Sequence, residues 1–294
     1  MTIVNLCPKI GLYDYRQFIA DEKLSIKLIK KIRWPKGVVC PKCQSRKIWR
    51  KGRGKHCQDY QCATCGHHFS DISGTFFTQT HLPISKWIIA IALWKLGISA
   101  VDLQWATGIA YRHARNMLRK LRKVAGDDRF FQYLQGIIEV DDAYYGGKRK
   151  GHRGRGAAGK TPVIGLRERG GRVKTVVVPN LKKQTISAVM KKYVQSGSLI
   201  ITDEFKSYRV ISKIGFRHKV VNHSENFVNP RDPTIHTQTA ENIWSITKPI
   251  TFAQHRKLSP QHLQEFLYEN DFMFNERNNH DFVLTVLEKL IFAI

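Results

Sequence analysis

Cys40 and Cys43 have two residues between them, as do Cys62 and Cys65, and 18 residues separate the two pairs. Around them, residues 34–75 are rich in Gly, Lys and Arg and poor in aliphatics. A segment of that composition cannot close an apolar core unaided, and a tetrahedral ion gripped by two such knuckles supplies the missing cross-link. The spacing therefore predicts a zinc ribbon with Cys40, Cys43, Cys62 and Cys65 around one Zn2+. Four thiolates leave no open position on the metal, so its role is structural. A redox pair or an iron–sulfur site also uses close cysteines, but no thioredoxin-like unit surrounds either pair. Cys57 and His56 are spare, though either could replace a ligand, and Cys7 reads as a plain thiol.

Beyond the ribbon the hydrophobic period becomes helical. Pro83 and Ser85 open a helix with Trp87, Ile88, Ile91, Leu93, Trp94 and Leu96 before Gly97, and a short helix follows from Ser99 to about Ala106. Gly108 breaks the pattern, and a third helix carries Ala110, Ala114, Met117, Leu118 and Leu121 on one side. This is a helix-turn-helix layout. On the third helix, Arg112, Arg115, Arg119 and Arg122 recur at steps of three, four and three, which reads as one cationic stripe. On an isolated helix such a stripe is an ordinary solvated face. In this setting it is a candidate DNA-contacting surface.

After Gly126 the texture becomes strand-like over Ile137–Tyr145, 163–167, 172–178 and 198–202, with a helical pattern through Ile186, Val189, Met190 and Val194 before the last of these. Three strands, a helix, a strand and then helices make an α/β core. The expected organisation is an N-terminal helical segment (1–33), the zinc ribbon (34–75), the helix-turn-helix module (76–128) and the α/β domain (129–294).

Charge narrows the partner. The chain has 294 residues, and 49 Lys plus Arg stand against 23 Asp plus Glu, a net charge of +26 spread along most of the length. Such a field favours a polyanion. Lys148, Arg149, Lys150, Arg153 and Arg155 lie between glycines in a segment offering many phosphate partners. No apolar stretch approaches the roughly 20 residues that cross a bilayer, and the N-terminus, with Asp14, Asp21 and Glu22, lacks a signal-peptide pattern. A soluble cytoplasmic protein, nucleoid-associated when bound to DNA, is expected.

Against this basic background a few acids sit inside apolar elements. Asp141 and Asp142 interrupt the strand at Ile137–Tyr145, where carboxylates need cations or a metal. Asp203 follows Leu199, Ile200, Ile201 and Thr202, at the carboxyl end of a buried strand, where open α/β sheets place ligands. Capping of a following helix by Asp203 or Glu204 is the rival account. Glu241 lies early in a helix with Ile243, Trp244 and Ile246. Lys248 comes two turns later on the same face, before Pro249, which is expected to end the helix.

These residues resemble the DDE-type insertion-sequence transposases that carry an N-terminal zinc ribbon, the ISXO2-like group. The resemblance rests on Cys-Gly-His-His-Phe-Ser at 65–70 with Ser-Gly-Thr-Phe-Phe at 73–77, Glu-Val-Asp-Asp-Ala-Tyr-Tyr-Gly-Gly-Lys at 139–148, Thr-Asp-Glu-Phe-Lys-Ser-Tyr at 202–208, and His-Thr-Gln-Thr-Ala-Glu-Asn-Ile-Trp-Ser-Ile-Thr-Lys at 236–248. It covers roughly residues 35–278. Relatives often have Asn where Gln238 stands, and a basic residue where Pro249 stands.

The resemblance implies an RNase H-like core with Asp141 on its first strand, Asp203 after its fourth and Glu241 on a later helix. It implies cleavage and joining of transposon DNA ends. Asp141, Asp203 and Glu241 are then the ligands of two Mg2+ (or Mn2+) ions about 4 Å apart, and Lys248 orients the DNA. Partners are double-stranded DNA, as terminal repeats and target, and further copies of the chain. A DNA-binding regulator or decayed element without catalysis, and a nuclease or resolvase on the same fold, are the alternatives.

Overall fold

The computed structural model describes residues 16–53, 57–146, 159–221, 235–254 and 259–292. The chain divides into two compact units, Met1–Asp127 with Asn278–Ile294, and Asp128–Arg277.

The first unit begins with α1 (Arg16–Ala20) and α2 (Glu22–Arg33), the latter capped by Asp21 accepting from the Lys23 N–H. Ile26, Leu28, Ile29 and Ile32 form the buried stripe of α2. Three short antiparallel strands follow, β1 (Ile48–Arg53), β2 (Gln58–Cys62) and β3 (His68–Ser70), in the order β1-β2-β3. Their core is small: Trp34, Cys40, Tyr60, Cys62 and Phe69. Arg33 ties α2 to the end of this ribbon by donating to the carbonyls of Ser70, Asp71 and Ser73.

The expected helices are α3 (Ile84–Trp94), α4 (Ala100–Thr107) and α5 (Tyr111–Ala125). The N-cap of α3 is Pro83, which offers no side-chain acceptor, and Glu22 of α2 fills the role by accepting from Ile84 N and Ser85 N at 2.7 and 2.9 Å. Gly108 closes α4 in the left-handed region at φ +68°, where a side chain would be strained. On α5, Arg112, Arg115 and Arg119 are exposed but Arg122 is buried, so the four-arginine stripe is corrected to three. Arg122 lies one turn after Leu118 in the last turn of α5, whose other buried residues there are Leu121 and Val124.

The last helix, α10 (Phe282–Phe292), was expected within the 129–294 domain but belongs to the first unit. Its apolar face, including Phe282, Val283, Val286, Leu287 and Leu290, packs on α2, α3 and α5, with the Phe282 ring 5.9 Å from Trp94. Burial of that face outweighs its place in the sequence.

The second unit holds a five-stranded sheet ordered β6-β5-β4-β7-β8: β4 (Ile137–Tyr145), β5 (Thr161–Glu168), β6 (Val173–Val177), β7 (Leu199–Thr202) and β8 (Arg217–Val220). The first three are antiparallel, and β7 and β8 run parallel to β4. That order and those directions are the RNase H-like arrangement. The crossover from β6 to β7 runs through α6 (Lys183–Tyr193), and a short turn and α7 (Val210–Lys213) lead into β8. β8, which reads Arg-His-Lys-Val, carried no strand signal.

Residues of β4 alternate between the two faces. Ile138 and Val140 join Ile164, Leu166, Met190, Ile200 and Tyr208 in one core, on the side of α6 and α7. Ala143 and Tyr145 join Val163, Val173, Ile243, Trp244, Leu263 and Leu267 in the other, under α8 (Gln238–Gln254) and α9 (Pro260–Asn275). The helix expected to stop at Pro249 runs through it. The missing N–H releases only the carbonyl of Ser245, an exposed position, while packing on β4 and β5 holds the helix in line. No helix among the described residues is long and apolar enough to cross a membrane.

Candidate active site

The site is built by register. β7 pairs in parallel with β4 from Ile137↔Leu199 to Val140↔Thr202, and there β7 ends. The next residue on each strand is an aspartate, so Asp203 leaves the sheet beside Asp141, and Asp142 follows on β4. One carboxylate oxygen from each of Asp141, Asp142 and Asp203 lies within 4.8 Å of the others.

The three acids are held differently. Asp141 faces α8, where its Oδ2 accepts from the Trp244 indole N–H at 2.8 Å and its Oδ1 accepts from the Asp142 N–H at 2.8 Å. Asp142 faces the opposite side and accepts from the Tyr208 hydroxyl at 3.1 Å. Asp203 Oδ1 accepts from the Phe205 N–H at 3.0 Å, so it also shapes the turn that follows. Burial raises the Asp141 carboxyl to about 6; the neighbouring Asp142 and Asp203 add to the rise, and its two hydrogen bonds oppose it. Burial and the same acids push the Tyr208 phenol well up, so it stays a donor.

Glu241 is not one of the three converging acids. It sits in the first turn of α8, where its Oε1 accepts from the Thr237 hydroxyl at 3.1 Å. Lys248, two turns on, is half-buried, with its amine 5.9 Å from the centre of the Tyr145 ring. Burial lowers its pKa, the Asp141 carboxylate opposes that, and Lys160 adds to it. Lys148, Arg149, Lys150, Arg153 and Arg155 lie outside the described residues.

A fourth acid escaped the sequence reading. Glu139, two residues before Asp141 and on the same face, is fully buried. It accepts from Arg169 Nε and Nη2 at 2.9 and 2.7 Å and, through Oε2, from the backbone N–H groups of Thr239 and Ala240 at 2.9 and 3.2 Å. It thereby anchors the first turn of α8 on β4, the favoured end of a helix for an anion. Its period-two relation to Asp141 in an apolar strand was the available signal.

Three hard oxygen donors at this separation fit a divalent cation such as Mg2+ or Mn2+. In the ribbon, the Sγ atoms of Cys40, Cys43, Cys62 and Cys65 also lie within 4.8 Å of one another, with Cys40–Cys65 at 3.7 Å and Cys43–Cys62 at 3.5 Å. Thiolates about 2.3 Å from a tetrahedral zinc stand about 3.8 Å apart, so the four fit that ion. Cys57 is not in the group, and burial raises its thiol to about 11.

Residues 133–275 match the ISXO2-like transposase domain, and residues 20–68 match the transposase zinc-ribbon domain. The chain carries a transposase zinc-ribbon domain followed by an ISXO2-like transposase domain. An uncharacterised protein in transposable element ISH50 of Halobacterium salinarum is 26% identical over 266 residues, covering 84% of this chain and 88% of its own. An uncharacterised transposase-like protein of Haemophilus influenzae is 29% identical over 104 residues, 35% of this chain and 81% of that one. Among solved structures, the catalytic core domain of BIV integrase overlaps 46% of this chain and 81% of its own at 10% identity, with a TM-score of 0.30. The Mos1 transposase paired-end complex with the left transposon end overlaps 65% and 75% at 10% identity, with a TM-score of 0.22. At these scores the overlap is partial, and the RNase H-like assignment rests on the strand order itself.

Proposed function

We propose that this ISXO2-like protein binds the ends of its own DNA element and catalyses divalent-metal-dependent strand cleavage and strand transfer. The observation that carries the reading is the register at the end of β7, which delivers Asp203 to Asp141 and Asp142. Repulsion among three close carboxylates is costly unless a cation offsets it.

Asp141, Asp142 and Asp203 would hold Mg2+ or Mn2+, with Glu241 supplying a further carboxylate from α8 when DNA is engaged. When bound, the ions provide Lewis-acid activation of water or a 3′-hydroxyl and stabilise charge on the leaving oxygen. Lys248 receives a phosphate oxygen beside the acids and offsets their repulsion of the DNA backbone. Arg112, Arg115 and Arg119 grip duplex phosphates from α5, and the basic residues at 148–155 add contacts to terminal repeats or target. The ribbon zinc stabilises its module and takes no part in the chemistry. Two ends must be brought together for transfer, which calls for more than one copy of the chain.

The test is a strand-transfer assay with oligonucleotide duplexes carrying the sequences that flank the coding region, a supercoiled target and Mg2+ or Mn2+. Joined products support the proposal. Cleavage without joining would make the protein a nuclease, and DNA binding with neither would make it a regulator.

A further inference from the structure

Trp244 does more than fill the core between α8 and the sheet. Its indole N–H donates to Asp141 Oδ2 at 2.8 Å, across the gap between α8 and β4. To lie there, the ring passes over β5 at Gly165, the residue paired with Asp141 in the β4–β5 register. A Cβ on Gly165 would stand 2.7 Å from Trp244 Cζ2 and 2.8 Å from Cη2, closer than real side-chain contacts come. The backbone at Gly165 is not in the left-handed region, so conformation does not demand glycine there. The ring does. Tyr145 meets the indole edge-on at 6.3 Å, and Glu139 pins the first turn of the same helix, so the ring has little freedom to turn away.

We propose that Trp244 is a positioning residue for the metal site: its N–H sets the orientation of the Asp141 carboxylate, and Gly165 exists as the berth that lets the ring reach it. The Asp142 N–H holds the other oxygen of Asp141, so together the two donors fix the plane of the carboxylate, one of whose oxygens lies within 4.8 Å of those of Asp142 and Asp203. Outer hydrogen bonds of this kind govern how well a carboxylate ligates. The inference rests on the reading of Asp141 as a metal ligand.

The test measures Mn2+ binding to the full, zinc-loaded chain without DNA, by electron paramagnetic resonance of the free ion. Four variants are compared with the wild type: Trp244→Phe, which keeps an aromatic ring but no donor; Gly165→Ala; the double variant; and Asp141→Asn. Thermal melting is followed alongside. The expected result is a loss of affinity of roughly 10-fold or more in Trp244→Phe. A similar loss is expected in Gly165→Ala, where the added methyl displaces the ring. Little further loss is expected in the double variant, because the shorter phenyl ring clears the methyl and the two changes act on one contact. Trp244→Phe and Gly165→Ala both binding Mn2+ within about twofold of wild type, while Asp141→Asn does not bind, would reduce Trp244 to a packing residue and overturn the inference alone. Unchanged binding in Asp141→Asn would overturn the metal-ligand reading itself. Should Trp244→Phe melt too low to be measured, Gly165→Ala decides: folded with wild-type affinity, it overturns the inference.

Discussion

Glu139 and Arg169 meet at 2.7 Å beneath the first turn of α8, and the same carboxylate accepts the N–H groups of Thr239 and Ala240. One buried side chain thus fastens the helix that carries Glu241, Trp244 and Lys248 to the strand that carries Asp141. Removing it leaves two helix donors and a cation without their acceptor. Glu139→Ala is expected to cost about 3–5 kcal/mol of unfolding free energy. Glu139→Gln, which keeps one acceptor, should cost less. Urea denaturation of the two variants checks the order, and equal stability of Glu139→Ala and wild type would refute the anchoring role.

The ribbon depends on its metal. With Trp34, Tyr60 and Phe69 as its main apolar contents, it has little core to fall back on. The chain should contain one tightly held zinc, and a strong chelator or Cys62→Ala should unfold residues 34–75, seen as rapid proteolysis between β1 and β3, while the second unit stays protected. Persistent protease resistance of zinc-free ribbon would count against this.

Arg112, Arg115 and Arg119 are exposed on α5, and Arg122 is buried. Replacing any of the first three with Ala should weaken duplex binding across sequences and reduce the slope of log affinity against log salt by about 1 for each arginine removed, at unchanged stability. Arg122→Ala should instead lower the melting temperature. Salt titrations of fluorescent duplex binding separate the two. A full salt slope in the triple variant would remove α5 from the DNA interface.

Much of this was legible in the primary structure because the chemistry has rigid spacing. The cysteine knuckles announce their ion, and Asp141 and Asp203 stand out as charges in apolar strands. What escaped depends on the tertiary arrangement. Whether Arg122 faces solvent turns on what packs around the end of α5, since Arg115, only about 20° away round the helix, is exposed. The strand at Arg217–Val220 is an edge strand whose polar residues show no alternation. Pro249 looks like a helix end until the sheet beneath α8 is known. Glu139 reads as a strand residue until the N–H groups of Thr239 and Ala240, 100 and 101 residues away, arrive to meet it.

Asp271 offers a pH signature apart from the site. It is fully enclosed on α9, where it accepts from the Thr175 N–H and hydroxyl, and burial raises it to about 7, against the opposing pull of Thr175 and Lys174. A carboxyl raised in the folded state contributes stability that is present below its ordinary value of 3.8 and is lost as pH rises through about 7. The melting temperature should therefore fall between about pH 4 and pH 7 and level off above that. Asp271→Asn should flatten that fall and gain on the order of a few kcal/mol at pH 8. A slope unchanged in Asp271→Asn would show that another group carries it.

On the proposed function, Asp141, Asp142 and Asp203 form one cation-binding centre that breaks DNA. The deciding measurement is end cleavage in Mn2+ by purified Asp203→Asn, alongside wild type and with duplex binding measured in parallel. Cleavage is expected to fall by at least about a thousandfold while DNA is still bound. Cleavage at the wild-type rate by Asp203→Asn would rule out a shared metal centre at these three acids.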